Sequence, residues 1–307
     1  MSLVIRHWAE PDRGTLQALV SDDSLAPHFD KFQGEAGLDA KLGDPRLMRD
    51  ELRLAWLDGE PAGFGVMWWL PQDHGNWVMM RVGVHARFRR RGIGRRLAEA
   101  LLERAYARRG AEPLEVSTSA WQPNDAAEAL AARLHFAHER WFWMMARPRG
   151  GAPAPAWPAG IEVTTYDGSE RALAGWLEAY EDSFAEHFRH VRATLEEGRQ
   201  LAAAPSFRPD GLLLAWRGGK CVGFCRCVLF ESRGEIAGIG TARAARGIGL
   251  GRAMLRWGVR WLEASSPAPV TLLVDGANEG ALALYRAEGF EVSRTRRIWK
   301  HEPESAA

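Results

Sequence analysis

Residues 242–257 read ARAARGIGLGRAMLRW, and residues 86–102 read ARFRRRGIGRRLAEALL. Each is a glycine-containing loop that runs into a helix. In the later copy Leu250, Met254, Trp257 and Trp261 fall at i, i+4, i+7 and i+11. In the earlier one Ile93, Leu97 and Leu101 step by four, so both helices present an apolar stripe to a sheet. Working outward, the same signals recur in the same order. LAW at 54–56, a turn at Asp58-Gly59 and Gly63-Phe64 are matched by LAW at 214–216, a turn at Gly218-Gly219 and Gly223-Phe224. Each set predicts a strand, a hairpin turn and a strand. Downstream, Asn124 leads a helical run to Phe136, and Asn278 leads one to Phe290, at the same separation. This register implies a duplicated unit.

Between the copies, residues 147–160, RPRGGAPAPAWPAG, lack any apolar period and read as a semi-stiff linker. The expected organisation is a domain over 1–148, a Pro/Gly/Ala linker over 149–160 and a second domain over 161–307. With 307 residues, two domains of about 150 residues fit the length. Each half reads β, one or two α, β, β, β, α, β, α and closing strands such as Trp141–Ala146 and Arg297–Lys300. The expected class is α/β or α+β, a mixed central sheet flanked by helices.

Composition narrows the function. Hydrophobic residues make up 46% and charged residues 26%, as in globular domains. A net charge of +1 demands neither nucleic acid nor an anionic membrane as partner. No apolar stretch approaches the roughly eighteen residues of a membrane span, and Met1–Trp8 lacks a signal-like apolar segment, so a cytoplasmic location is expected. The expected assembly is a monomer or homodimer.

The loop at Arg246-Gly247-Ile248-Gly249-Leu250-Gly251 follows a predicted strand, Glu235–Thr241. A helix N-terminus with glycines lets backbone N–H groups approach an anion closely. The first half offers Arg89-Arg90-Arg91-Gly92-Ile93-Gly94 in the same context. Neither is a phosphate-binding Gly-Lys-Ser/Thr loop, and neither has full dinucleotide spacing.

Strand, Arg246-x-x-Gly249-x-Gly251, helix, a strand ending near Asn278, then Ala281-Leu282-Ala283-Leu284-Tyr285 through Gly289-Phe290: this order resembles the GNAT superfamily of acetyl-CoA-dependent N-acetyltransferases. Both halves can be laid on it. The tandem form, with Pro209-Asp210-Gly211 leading into Leu212–Trp216, is similar to the two-domain mycothiol synthases. Thr241-Ala242-Arg243 departs from the Val-x-Pro common before the loop.

The resemblance implies two tandem GNAT-type domains, acetyl-CoA as cosubstrate, a small amine acceptor and no metal, nucleic acid or membrane. Diphosphate contacts are implied for Arg246 to Gly251 and Arg252, and pantetheine and acyl contacts for the backbone of Ile239, Gly240 and Thr241. Asn278 completes that set. In the first half the matching residues are Val84, Arg89, Arg90, Arg91, Gly92, Ile93, Gly94 and Asn124. In the family a carboxylate eleven positions before the loop arginine serves as general base, which here is Glu235, and the general acid falls on Tyr285. Transfer needs a deprotonated amine, a site for the oxyanion and a proton for the leaving thiolate. Eleven residues before Arg89 stands Val78, and five before Phe136 stands Ala131, and neither can move a proton. Catalysis is therefore expected in the second half, with a first half that supports the fold, shapes the acceptor cleft or binds CoA without turnover. The other functions weighed are a cysteinyl-sugar amine as acceptor, a CoA-binding regulator without turnover, and a basic nucleic-acid module built on the arginines of 87–96.

Cys221, Cys225 and Cys227 share one predicted strand face as buried small residues, and His187 and His190 close a helical run from Trp176 as solvated groups. The fourteen tryptophans are expected to serve mainly in core and sheet packing.

Overall fold

The computed structural model describes residues 2–72, 74–204, 207–230 and 233–303. The chain divides into two compact units, Met1–Arg140 with Arg296–Ala307, and Trp141–Thr295.

In the first unit, β1 (Leu3–His7), α1 (Arg13–Ser21) and α2 (Gly34–Leu42) precede a meander of β2 (Arg53–Leu57), β3 (Glu60–Gln72) and β4 (Gly75–Val84). Then come α3 (Ile93–Ala107), β5 (Leu114–Gln122), α4 (Asp125–Arg133) and the start of β6 (Phe136–Arg147). Strands β1 to β4 pair antiparallel in order, and β5 joins β4 in parallel from Asn76↔Leu114 to Met80↔Thr118. The second unit repeats the plan: β7 (Glu162–Thr165), α5 (Glu170–Phe184), α6 (Leu195–Ala203), β8 (Leu212–Arg217), β9 (Lys220–Leu229), β10 (Gly234–Thr241), α7 (Leu250–Ser265), β11 (Val270–Asp275) and α8 (Glu279–Ala287), ending in β12 (Glu291–His301).

The repeated hairpins form for the reason the sequence suggested. Asp58-Gly59 and Gly218-Gly219 all have positive φ, the requirement of a two-residue turn whose twist matches its strands. Just beyond each turn one residue is skipped in the ladder, Ala62 in β3 and Val222 in β9. That bulge corrects the expectation for the cysteines. Cys221 packs against Gly175 of α5, whereas Cys225 and Cys227 face Gly258 of α7 on the other side of the sheet. One extra residue in a strand reverses the face of everything before it.

Each sheet is covered on both faces. In the first unit Leu16, Phe29, Leu38 and Phe64 form the core beneath α1 and α2, while Met80, Leu101 and Val116 lie beneath α3. In the second, Trp176 and Phe224 pack under α5, and Leu255, Leu272 and Phe290 under α7 and α8.

The division between units does not fall in 149–160. Strand β6 crosses it at Arg140, and its residues from Phe142 to Arg147 pair antiparallel with β11 of the second unit. Strand β12 crosses in the opposite direction, so that Trp299 is buried in the first unit's core and Lys300 pairs with Glu115. The proline-rich segment packs on the second unit, with Ala152 and Trp157 against its core. Arg147 fixes its start. This nearly buried guanidinium donates to Glu263 at 2.9 Å and to the carbonyls of Glu288, Pro148 and Gly150 at 2.9–3.0 Å.

Replacing Arg147 with alanine removes the cation paired with Glu263, which keeps only the Gly150 amide at 2.8 Å, and takes the arginine's donors from three carbonyls in a site that water reaches poorly. Unfolding free energy is expected to drop by on the order of 3 kcal/mol, measured by urea denaturation of the full chain. A loss under about 0.5 kcal/mol, the range of ordinary surface changes, would show that the network is not structural.

Candidate active site

Strand β10 holds two neighbours and then loses one. It pairs with β11 in parallel over only Gly234↔Val270, Glu235↔Thr271 and Ile236↔Leu272, yet its ladder with β9 continues to Thr241↔Gly223. Beyond Ile236 a wedge opens between β10 and β11, and the backbone of 237–241 loses its ladder partner on that edge. The first unit has the same wedge. There β4 leaves β5 after Met80↔Thr118 but stays with β3 to Val84↔Gly63.

At the mouth of each wedge a helix starts. Gly249 is the N-cap of α7 with φ 89°, and Gly92 the N-cap of α3 with φ 78°. An L-side chain is strained in this conformation, so the sequence spends glycine there. Neither cap offers a side-chain acceptor, and the first helical donors to find carbonyls are those of Ala253 and Arg96. The amides of Leu250, Gly251 and Arg252, and of Ile93, Gly94 and Arg95, are left facing the wedge. A Cβ on Gly251 or Gly94 would make only ordinary van der Waals contacts with the protein, so the space beside these amides is open. Three open N–H groups on a positive helix end fit a diphosphate.

The first arginine of each loop is bonded to the protein's own carbonyls. Arg246 donates through Nε to the carbonyl of Thr241 and through Nη2 to that of Ser183, both at 3.3 Å. Arg89 makes the same pair of bonds, to Val84 at 3.1 Å and Ser24 at 2.9 Å. Each staples its loop to the end of the strand and to the segment across it. Arg252 lies 3.4 Å from Glu288, which also holds Arg256, and Arg91 lies over Phe88. Ile248 is exposed at the loop tip, and Arg90 takes a positive φ where the second unit has Gly247. Asn278 and Asn124 have a structural task that the sequence reading did not assign. Their side-chain oxygens cap α8 and α4 by accepting from Ala281 and Ala127 at 3.0 Å.

Glu235 and Tyr285 approach the wedge from opposite faces of the sheet. Ile236 and Ile239 pack toward α7, while Glu235, Gly238 and Gly240 face α5. Between them Ala237 is an extra residue, skipped in the β9 ladder between Ile236↔Cys227 and Gly238↔Arg226. Glu235 is 3% exposed and receives Arg233 at 3.1 Å. Tyr285, on α8, sits in the core with Cys225 and Phe290. Burial pushes its phenol above the usual range, with Cys225 adding to the effect. Its hydroxyl has no hydrogen-bond partner among the described residues.

The bulge also corrects the comparison of the two halves. Strand β4 has no bulge, so the residue that takes Glu235's place in the β-ladder is Met79, opposite Trp68, and not Val78. Val78 faces the core beneath α3. Met79 is a thioether and Ala131 a buried methyl, so the first unit still has no proton-transfer group at either position. It does keep a cavity of about 720 Å³ in its wedge, lined by Val82, Arg89, Gly92, Ser119, Asn124 and Leu130.

The remaining candidates stay outside the wedge. Burial raises the Cys221 thiol to about 11 and Cys227 well above its usual range, so neither is a thiolate at neutral pH. Helix α5 ends at Phe184, short of His190, which is largely buried and bonded to Glu181 at 2.9 Å rather than solvated. Among the described residues no cluster of three or more His, Cys, Asp or Glu side chains could hold a metal, and no helix is long and apolar enough to cross a membrane. Sequence reasoning missed Arg226, which shares the Glu235 face. A lone cation inside the buried run Cys225-Arg226-Cys227 was its signal.

Comparison with known proteins agrees with this geometry. The model of the acetyltransferase (GNAT) family matches residues 16–136 and again 173–290. A mycothiol acetyltransferase of Thermomonospora curvata is 36% identical over 89% of this chain and 87% of its own length. Another, of Catenulispora acidiphila, is 35% identical over 66% of this chain, which spans 65% of that relative. Among solved structures, a tandem GNAT protein from the clavulanic acid biosynthesis pathway has a TM-score of 0.76 with all of both chains covered at 18% identity. A GCN5-related N-acetyltransferase from Sphaerobacter thermophilus has a TM-score of 0.72 at 24% identity, covering 98% of this chain and 95% of its own. With the family's loop at the mouth of both wedges and its model matched twice, the chain belongs to the GNAT acetyltransferases.

Proposed function

We propose that the second unit moves an acetyl group from acetyl-CoA to the primary amine of a small molecule by direct attack. The observation that carries this reading is an asymmetry. Glu235 and Tyr285 flank one wedge, and Met79 and Ala131 stand at the matching positions of the other.

The chemistry divides among residues already described. Amides of Leu250, Gly251 and Arg252 hold the diphosphate, and the free edge of β10 at Ile239–Thr241 lies along the pantetheine. Glu235 takes a proton from the incoming ammonium, directly or through water, and the lone pair so freed attacks the thioester carbonyl. The new C–N bond forms, the N–H groups of the free strand edge stabilise the oxyanion, and the C–S bond breaks. Tyr285 donates its proton to the departing thiolate, and the extra proton on the new C–N nitrogen returns to the Tyr285 phenolate through water, leaving amide and free thiol. A phenol pushed above its usual range stays protonated across the working pH range, as an acid must.

For the first unit the reading is CoA binding without turnover. Its cavity of about 720 Å³ is within the size of ordinary ligand sites, and it repeats the glycine cap and the arginine staple. A narrower acceptor, a cysteinyl-sugar amine, is favoured by the relatives named as mycothiol acetyltransferases at 36% identity over most of both chains.

Tyr285→Phe is expected to lower kcat about 100- to 1,000-fold, read as thiol release from acetyl-CoA with a panel of amines, whereas Ala131→Ser leaves it intact. Equal rates for wild type and Tyr285→Phe would remove the phenol from the mechanism.

The two anion sites can be counted separately. Native mass spectrometry should find two CoA molecules per chain, falling to one in either Gly94→Asp or Gly251→Asp. An acid at a helix N-terminus favours the helix but repels phosphate, so binding falls without unfolding. Transfer should disappear only in Gly251→Asp. Loss of transfer in Gly94→Asp would reverse the assignment of the units.

A further inference from the structure

Arg226 is a charged side chain on the acceptor side that neither the fold nor the proposed transfer uses. It lies on β9 opposite Gly238, while Val228 on the same strand lies opposite Glu235. Arg226 and Glu235 are therefore diagonal neighbours on the face toward α5, their Cβ atoms roughly 7 Å apart. The neighbours of Arg226 along β10 on this face, Gly238 and Gly240, lie under the Phe224 ring, with Ser183 of α5 also packed over Gly240. Phe224 and Tyr180, 6.1 Å apart between rings, supply an apolar wall.

The charges on this face do not balance locally. Glu235 is already held by Arg233 at 3.1 Å. The Arg226 guanidinium is half-buried, and it makes no hydrogen bond or ion pair among the described residues. Burial pushes it below the usual arginine range, with Glu235 the main opposing charge. Withdrawing a guanidinium from water without a partner is costly, and a methionine or leucine would fill the same strand position without that cost.

We infer that Arg226 binds an anionic group of the acceptor, so that the amine acetylated belongs to a molecule carrying a carboxylate or phosphate a few bonds from its nitrogen. This rests on the reading of Glu235 as the base. A guanidinium fork matches the two oxygens of either anion. With the anion on Arg226, the amine of such a molecule is held beside Glu235, the diagonal neighbour of Arg226 across the β9–β10 pair. A polyamine, a simple amino sugar or a cysteinyl-sugar amine has no anionic group for the fork, so a site built on Arg226 selects against the narrower acceptor that the relatives favour.

The test compares matched pairs on the full chain: L-amino acids against their carboxamides, O-phosphoethanolamine against ethanolamine, with glucosamine and spermidine as controls that carry no anionic group. Wild type is expected to favour the anionic member of at least one pair by about tenfold or more in kcat/KM, chiefly through KM. Arg226→Gln is expected to erase that ratio, and Arg226→Lys to keep part of it. Three outcomes overturn the inference while leaving transfer by the second unit intact. These are turnover confined to neutral amines, a ratio near one in wild type, and an Arg226→Gln variant that slows both members equally. The last would make Arg226 a positioning partner of Glu235. A wild-type chain that binds acetyl-CoA yet releases thiol with no amine overturns the reading of Glu235 itself.

Discussion

The parting of β10 from β11 after three rungs is the constraint from which the site follows. A strand interior has no room for a thioester, because both backbone edges are bonded to neighbours. Once β11 turns away, β10 has one bonded edge, which keeps it rigid, and one free edge that can accept or donate. The helix that starts at the mouth of the wedge, capped by Gly249, leaves its first amides without carbonyl partners there. Arg246 bonds the last residue of the strand and the end of α5 at once, so its side chain ties the mouth of the wedge to both.

Within this frame the bulge at Ala237 decides which way Glu235 points. Thr241 and Ile239 face α7, and strict alternation would turn residues 237 and 235 to that side as well. A carboxylate there would be buried against the leucines of α7. The skipped residue reverses the alternation, and Glu235 emerges toward α5, beside Arg233 and Arg226. The first unit separates its strands without any bulge, so the bulge is not what opens the wedge. Its effect is on side-chain direction, which agrees with its occurrence in the one unit that has a carboxylate to aim.

The duplication, the order of elements and both glycine loops were legible in the sequence because they rest on local signals: turn dipeptides, helical spacing and glycines before a stripe. Glu235 was legible only as a position. Counting back from the loop gave Val78 as its counterpart, and the ladder gives Met79, because a one-residue bulge leaves no mark in the composition of Gly234–Thr241. The face of Cys221 was misread for the same reason at Val222. The tasks of Asn124, Asn278 and Arg246 were obscured by their family context, which suggested ligand contacts where the side chains bond their own backbone.

The unit boundaries were illegible for a different reason. Duplication suggests that each copy closes on itself, and Pro-rich residues 147–160 look like the seam. A central sheet, however, is complete only when the strand beyond the wedge has a partner on its far side. For β11 that partner is β6, which the chain reaches before the second copy begins. The first unit in turn contains residues from Arg296 onward, the last part of the chain. Neither half of the sequence therefore encodes a whole unit. A chain that ends at the seam lacks the buried Trp299 of the first core, and one that begins there lacks the strand carrying Arg147. The first copy is then required by the second, since the strand that begins in it, β6, supplies the partner of β11.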